Sequence, residues 1–162
     1  MADLKAYLAA KLKKSKRVAV LGIGSELRAD DAAGILAAGY LEKTTGRKNG
    51  RIRVFKGFTA PENLTGEIIS FKPTDIIIID SVEMGESPGT VLCLDPDGIG
   101  KGVSFSTHKL PAKILIDYFG SKAECRVIFI GIQPASVAFG RKASAKIKSC
   151  ARLVASSISK AL

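Results

Sequence analysis

Hydrophobic residues along this chain alternate between helical spacing and the short unbroken runs of buried strands. The first segment is amphipathic and basic, and its apolar residues lie on one side of a helix, at Leu4, Tyr7, Leu8 and Leu12. The run RVAVLGIG then predicts a buried strand that leads into a glycine turn, and AAGILAAGYLEK returns to helical spacing. The chain therefore opens as helix, strand and helix.

The same alternation continues to the end of the chain. RIRVFKGF and DIIIID predict strands, and the β-branched run of the second is typical of a central parallel strand. TAPENLTGEIISF predicts a helix opened by Pro61, and THKLPAKILIDYF predicts another with Pro111 in its first turn. VLCLD predicts an antiparallel edge strand, RVIFIGIQP predicts a buried strand, and residues 142–161 predict a last helix.

Strands that alternate with helices at this spacing predict an α/β fold. We expect a three-layer α/β/α sandwich around a mostly parallel, five-stranded twisted sheet, formed by residues 1–162 as a single domain. In such sheets, functional residues gather in the crevice beyond the carboxyl ends of the strands. Candidate residues should therefore directly follow strands.

Composition excludes several classes of protein. No apolar run approaches the roughly 18 residues that a membrane span needs, and the basic N-terminal pattern lacks the apolar block of a signal peptide, so we expect a cytoplasmic protein without membrane insertion. The three cysteines are far apart and form no CxxC pair, which predicts buried, reduced thiols. A single histidine, His108, excludes an HExxH metallopeptidase helix within one chain.

The net charge of +10 raises the question of a nucleic-acid partner. Residues 1–17 carry +5 and residues 141–162 carry +6, which leaves −1 on the segment between them. Because the excess lies on two terminal helices and the chain has no tryptophan, the pattern favours solvated helix faces over a nucleic-acid groove. These helices could still attract an acidic protein surface.

Three polar residues stand where the predicted topology concentrates function. Asp31 comes just after the first strand, Asp80 ends the third, and His108 begins a helix. Two carboxylates and one imidazole form a donor set suited to a borderline divalent ion, with positions left open for water or a substrate oxygen. Such a site could polarise a carbonyl and activate water.

Each of these residues also has an ordinary structural interpretation. Asp31 could cap a helix, and His108 could contact backbone at a helix start. Asp80 directly follows four isoleucines, so its carboxylate must be paired, bound to a ligand or turned toward solvent. The role of Asp30 is equally open, since it could cap the following helix or repel a wrongly placed acid.

Other catalytic motifs are absent or incomplete. Gly22 and Gly24 suggest a dinucleotide fingerprint, but the third glycine position is Leu27. The sequence contains no GxxxxGK[ST], which disfavours a P-loop enzyme. Its GxSxG match, GESPG at residues 85–89, leads into the predicted strand VLCLD instead of a helix, so it is not the nucleophile elbow of a serine hydrolase. A Cys-His peptidase is disfavoured because each cysteine has apolar neighbours that raise the pKa of a thiol.

Four blocks of this sequence together resemble the hydrogenase maturation endopeptidases: LGIGSELRADDAAG, IIIIDSVEMGESPGTV, STHKLP and FIGIQP. The resemblance covers residues 17–140, and TAPENL and GIQP make it most similar to the branch that serves formate hydrogenlyase and related membrane-bound hydrogenases. Two positions depart from the family pattern, because Ser25 replaces an asparagine and Ala32 a glycine.

The resemblance implies a metal-dependent endopeptidase that removes the C-terminal extension of a nickel-iron hydrogenase large-subunit precursor after nickel insertion. It also implies that Asp31, Asp80 and His108 are the metal ligands, and that the nickel is the ion carried by the substrate. Asp31 or Asp80 would activate water, and the sequence does not distinguish between the two acids for that role. One alternative is a nickel-dependent binding protein or chaperone for the large subunit that uses the same ligands without cutting.

Overall fold

A five-stranded sheet organises the computed structural model, which describes residues 2–45, 50–94, 110–122 and 125–162. Its strands are β1 (Val18–Ile23), β2 (Ile52–Phe58), β3 (Asp75–Ser81), β4 (Val91–Leu94) and β5 (Arg126–Ile132). Their order across the sheet is β2-β1-β3-β5-β4, and every neighbouring pair is parallel except β4 with β5. The predicted sheet is confirmed, including its antiparallel edge strand.

In the described part of the chain, five α-helices cover the two faces of this sheet. They are α1 (Ala2–Leu12), α2 (Ala33–Thr45), α3 (Thr65–Ser70), α4 (Leu110–Lys122) and α5 (Ala145–Ala161). Apolar residues of α1, α2 and α5 share one core cluster with the sheet, and those of α3 and α4 share the other. The α/β/α sandwich predicted from the sequence is therefore confirmed. Within the described ranges, no helix is both long and apolar enough to cross a bilayer.

The isoleucine run of β3 shows why an unbroken apolar strand lies at the centre. Successive side chains of a strand point to opposite faces, so Ile77 and Ile79 pack under α2 and α5, whereas Ile76 and Ile78 pack on the side of α3 and α4. All four are fully buried. This burial fixes β3 between β1 and β5 and brings its carboxyl end beside those of its neighbours.

The helix predicted to open at Pro61 is wrong in its first part. Residues Pro61–Leu64 form a 3-10 turn, and α3 begins only at Thr65. The reason is packing, since Pro61 is buried directly against Gly57 of β2 and turns the chain sharply after that strand. The predicted fourth helix is confirmed from Leu110 onward with Pro111 in its first turn, while the preceding Thr107, His108 and Lys109 lie outside the described residues.

Candidate active site

Two of the three predicted site residues meet at the carboxyl edge of the sheet. Asp80 lies in β3, one residue before the end of the strand, and is 3% exposed. Asp31 is partly buried in a 3-10 turn, Ala29–Ala32, that follows β1. The third residue, His108, lies outside the described part of the chain. The topology thus brings the two acids together, as expected for residues that follow neighbouring parallel strands.

Ser81 is the residue that joins the two acids, and the sequence analysis did not single it out. Its hydroxyl donates to Asp31 Oδ1 at 2.9 Å, and its backbone N–H donates to Asp80 Oδ1 at 2.7 Å. Ser81 is fully buried, and its bond to Asp80 is buried with it, whereas its bond to Asp31 is partly buried. The only sequence signal was its position directly after Asp80, inside one of the blocks that carried the resemblance.

The loop between β1 and the 3-10 turn fixes the other oxygen of Asp31. The backbone N–H of Ser25 donates to Asp31 Oδ2 at 3.0 Å. Gly24 has φ +133°, and a Cβ there would lie 1.9 Å from the carbonyl oxygen of Asp31. Only glycine permits this close approach. At the start of this turn Arg28, not Asp31, occupies the N-cap, and no side chain makes a capping hydrogen bond at that position.

The two departures from the family pattern leave this geometry intact. Ser25 supports Asp31 through its backbone N–H, which an asparagine would also provide. Ala32 is buried within the 3-10 turn and is not among the residues with positive φ. Its position therefore needs no glycine. Neither change therefore removes Asp31 from the site.

Asp30 has a structural contact that neither sequence interpretation anticipated. Asp30 is 1% exposed, and its carboxylate accepts hydrogen bonds from the backbone N–H groups of Ala135 at 2.9 Å and Ser144 at 2.7 Å. It therefore caps no part of the following helix. Instead, Asp30 fastens the 3-10 turn that carries Asp31 to the segment between β5 and α5.

Gln133, from the GIQP block, fixes the loop that follows Asp80. This residue is 3% exposed, and its Oε1 accepts from the backbone N–H of Met84 at 2.6 Å and of Glu86 at 3.3 Å. Its Nε2 donates to Glu83 Oε1 at 2.8 Å. A buried amide that uses both its donor and its acceptor in this way orients the loop next to the acids. No local pattern in the sequence indicated this contact.

The cysteines are poor candidates for a nucleophile. Cys93, Cys125 and Cys150 all lie in the described part of the chain, and none forms a disulfide bond. Burial and the negative charge of Asp75 raise the pKa of Cys125 to about 11, and burial also raises the pKa of Cys150. The thiolate is the reactive form of cysteine, so these two thiols remain protonated and inert near neutral pH. For Cys125 and Cys150, the predicted rise in pKa is confirmed.

The predicted metal site can be compared with the described acids only in part. Asp31 and Asp80 contribute carboxylates that converge on Ser81, and oxygen donors of this kind suit divalent ions. No group of three or more His, Cys, Asp or Glu side chains that could hold a metal occurs within residues 2–45, 50–94, 110–122 and 125–162. Metal ligation by Asp31, Asp80 and His108 therefore stays a prediction.

We expect Ser81→Ala to lower kcat/KM of the reaction at this site about tenfold, because Asp31 loses the donor that orients its Oδ1. The free energy of unfolding should fall by about 1 kcal/mol, the usual net value of one hydrogen bond. Ser70→Ala on α3 is a matched control, since the Ser70 hydroxyl donates to the carbonyl of Gly66 on an exposed surface. Steady-state kinetics and urea unfolding would measure both effects. A Ser81→Ala protein with wild-type kcat/KM would show that Ser81 does not position Asp31.

The fold and the sequence agree with known proteins. The family model of HycI, a hydrogenase maturation protease, matches residues 35–161. The chain is 38% identical over 120 residues to the hydrogenase 3 maturation protease of Escherichia coli K12, covering 74% of both proteins. The crystal structure of the hydrogenase maturation protease HycI from Thermococcus kodakarensis superposes with a TM-score of 0.83 at 29% identity, covering 94% of this chain and 99% of that one.

A second solved structure gives the same result. The solution structure of the endopeptidase HycI from Escherichia coli superposes with a TM-score of 0.73 at 32% identity, covering 86% of this chain and 87% of that one. The family model covers more than half of the sequence and includes Asp80, Ser81, His108 and Gln133. The resemblance seen in the four sequence blocks is thereby confirmed. This chain belongs to the HycI family of hydrogenase maturation proteases.

Proposed function

We propose that this chain is a cytoplasmic endopeptidase that removes the C-terminal extension of a nickel-iron hydrogenase large-subunit precursor after nickel has been inserted. The observation that carries the proposal is the convergence of Asp31 and Asp80 on Ser81 at the carboxyl edge of the sheet, in a chain of this protease family. Two fixed carboxylates at this edge of the sheet are suited to activating water for peptide hydrolysis.

In this proposal, the two acids have different surroundings and therefore different tasks. Asp31 is partly exposed, and its oxygens accept from Ser25 and Ser81, which holds the carboxylate in one orientation at the carboxyl edge of the sheet. Asp80 is more deeply buried and is fixed through the N–H of Ser81. One acid orients the attacking water and takes its proton, and that proton is then delivered to the leaving amine.

The nickel belongs to the substrate in this proposal. Asp31, Asp80 and His108 would contact an ion that the precursor already holds, and their oxygen and imidazole donors suit such an ion. When bound, the ion would polarise the scissile carbonyl. Recognition of the ion would restrict cleavage to precursors that have been loaded with nickel.

Mass spectrometry of a large-subunit precursor incubated with the enzyme tests this function. We expect the nickel-loaded precursor to lose the mass of its C-terminal extension, and the nickel-free precursor to stay intact under the same conditions. The nickel-free precursor is also the control for nonspecific proteolysis. A nickel-loaded precursor that forms a stable complex but keeps its full mass would favour the binding protein or chaperone over the peptidase.

A further inference from the structure

Two neighbouring loops beside Asp31 expose apolar side chains that the catalytic proposal does not use. Phe139 is 72% exposed and Leu27 is 64% exposed, and they are the two most exposed large hydrophobic residues of the described chain. Val137, on the same loop as Phe139, is 39% exposed. We refer to Leu27, Val137 and Phe139 as the apolar rim.

Backbone hydrogen bonds hold the two loops of the apolar rim together. Gly140 N–H donates to the carbonyl of Leu27 at 2.8 Å, and Ala29 N–H donates to the carbonyl of Arg141 at 2.9 Å. Asp30 N–H donates to the carbonyl of Ser136 at 3.0 Å. Because these hydrogen bonds join the two loops at several points, the loops are held in place and their apolar side chains stay at the surface.

The apolar rim is also fastened to the candidate active site. The buried carboxylate of Asp30 accepts from Ala135 and Ser144, at the two ends of the loop that carries Val137 and Phe139. Asp31 is the next residue in the chain, and Ala29 just before Asp30 has φ 45°. Such a left-handed conformation costs a non-glycine residue about 1–2 kcal/mol, which marks a turn imposed by the surrounding structure. A group seated on the rim therefore lies at a fixed position relative to Asp31.

The charge of the exposed side chains on these loops favours an acidic partner. Arg28, Arg141 and Lys142 are exposed, and the one exposed acid on the same two loops is Glu26. Asp30, the other acid beside Asp31, is buried and satisfied by backbone donors. The rim thus combines apolar contact area with an excess of two positive charges.

We propose that the apolar rim docks the hydrogenase large-subunit precursor, by binding an extended segment that carries apolar side chains and at least one carboxylate next to the scissile bond. This inference rests on the proposed function, because it takes the precursor as the substrate. Apolar contacts would hold the segment on Leu27 and Phe139, and Arg28, Arg141 and Lys142 would pair with its carboxylates. Contact made equally in the bound substrate and in the transition state affects KM and leaves kcat unchanged.

The test compares a Leu27→Ala/Phe139→Ala double variant with wild type on the nickel-loaded precursor. We expect KM to rise about tenfold or more while kcat stays within about twofold, since exposed contact residues carry no chemistry. Leu153→Ala is the matched control, because Leu153 is 45% exposed on α5 and lies outside the rim loops. Arg141→Glu should also raise KM, whereas Lys160→Glu, a charge reversal near the end of α5, should not.

The Kd for the uncut precursor tests the docking inference independently of the proposed function. In an Asp80→Asn background, the double substitution in the rim should raise Kd by the same factor as KM. If wild type leaves the precursor whole, the proposed function fails and Kd alone decides the docking inference. An unchanged KM and Kd in the double variant would overturn it. The wild type could also form a dimer that the double substitution dissociates while KM stays unchanged. That result would assign the rim to contact with a second copy of this chain and would overturn the docking inference.

Discussion

Asp80→Asn is expected to slow removal of the C-terminal extension by about 10²- to 10⁴-fold, the usual contribution of general acid–base catalysis. Asparagine has the same shape as aspartate, and its side-chain oxygen can still accept the hydrogen bond from Ser81 N–H that Asp80 Oδ1 receives at 2.7 Å. The local structure should therefore persist while the negative charge and the proton acceptor are lost. Single-turnover cleavage followed by mass spectrometry would measure the rate, and Asp31→Asn should give a loss of similar kind.

Asp75→Asn provides a control within the same strand. Asp75 lies at the opposite end of β3, is 1% exposed, and accepts from the guanidinium of Arg126 at 2.8 Å. Its replacement should lower the free energy of unfolding by about 1–3 kcal/mol, because Arg126 loses a charged partner. At a temperature where the variant stays folded, its cleavage rate should match wild type. Equal rates for Asp80→Asn and wild type would refute the catalytic role of Asp80.

Gly34→Ala is expected to lower the free energy of unfolding by at least about 3 kcal/mol, a loss typical of a severe steric clash in a core. Gly34 lies in the first turn of α2, where a Cβ would come within 2.1 Å of the carbonyl oxygen of Ile79 and 2.4 Å of that of Ile23. Both contacts are with backbone, so no side-chain rotation can relieve them. The helix would have to move away from β1 and β3, and urea unfolding would record the loss.

Gly39→Ala is the matched change in the same helix. A Cβ at Gly39 would meet only Lys56 Cε, at 3.9 Å, which is an ordinary contact. Alanine is favoured over glycine in a helix interior by about 1 kcal/mol, so this variant should be as stable as wild type or more stable. A Gly34→Ala protein that unfolds at the same urea concentration as Gly39→Ala would show that α2 can shift on the sheet at little cost. Because Gly34 is three residues from Asp31, a displaced helix should also reduce cleavage.

The sequence alone predicted the fold class, the five strands and the antiparallel edge. Each of these depends on a periodicity that a short segment carries by itself, such as the isoleucine run of β3 or the helical spacing of α5. The topology rule for parallel sheets then placed Asp31 and Asp80 at one edge, and the structure has them there. The prediction for the start of the helix at Pro61 was wrong, because contact with β2 sets that turn.

Neither hydrophobic periodicity nor the topology rule could identify the hydrogen-bond partners of the buried polar groups. Ser81 and Asp31 are 50 residues apart, and Asp30 is 114 residues from Ser144. Hydrophobic periodicity reports which side chains are buried, but it contains no information on which donor will face a given carboxylate. The local sequence therefore determined the strands, the helices and the edge where the acids lie. Only the tertiary structure decided that Ser81 joins the acids and that Asp30 secures the apolar rim, because those contacts form when the sheet brings distant segments together.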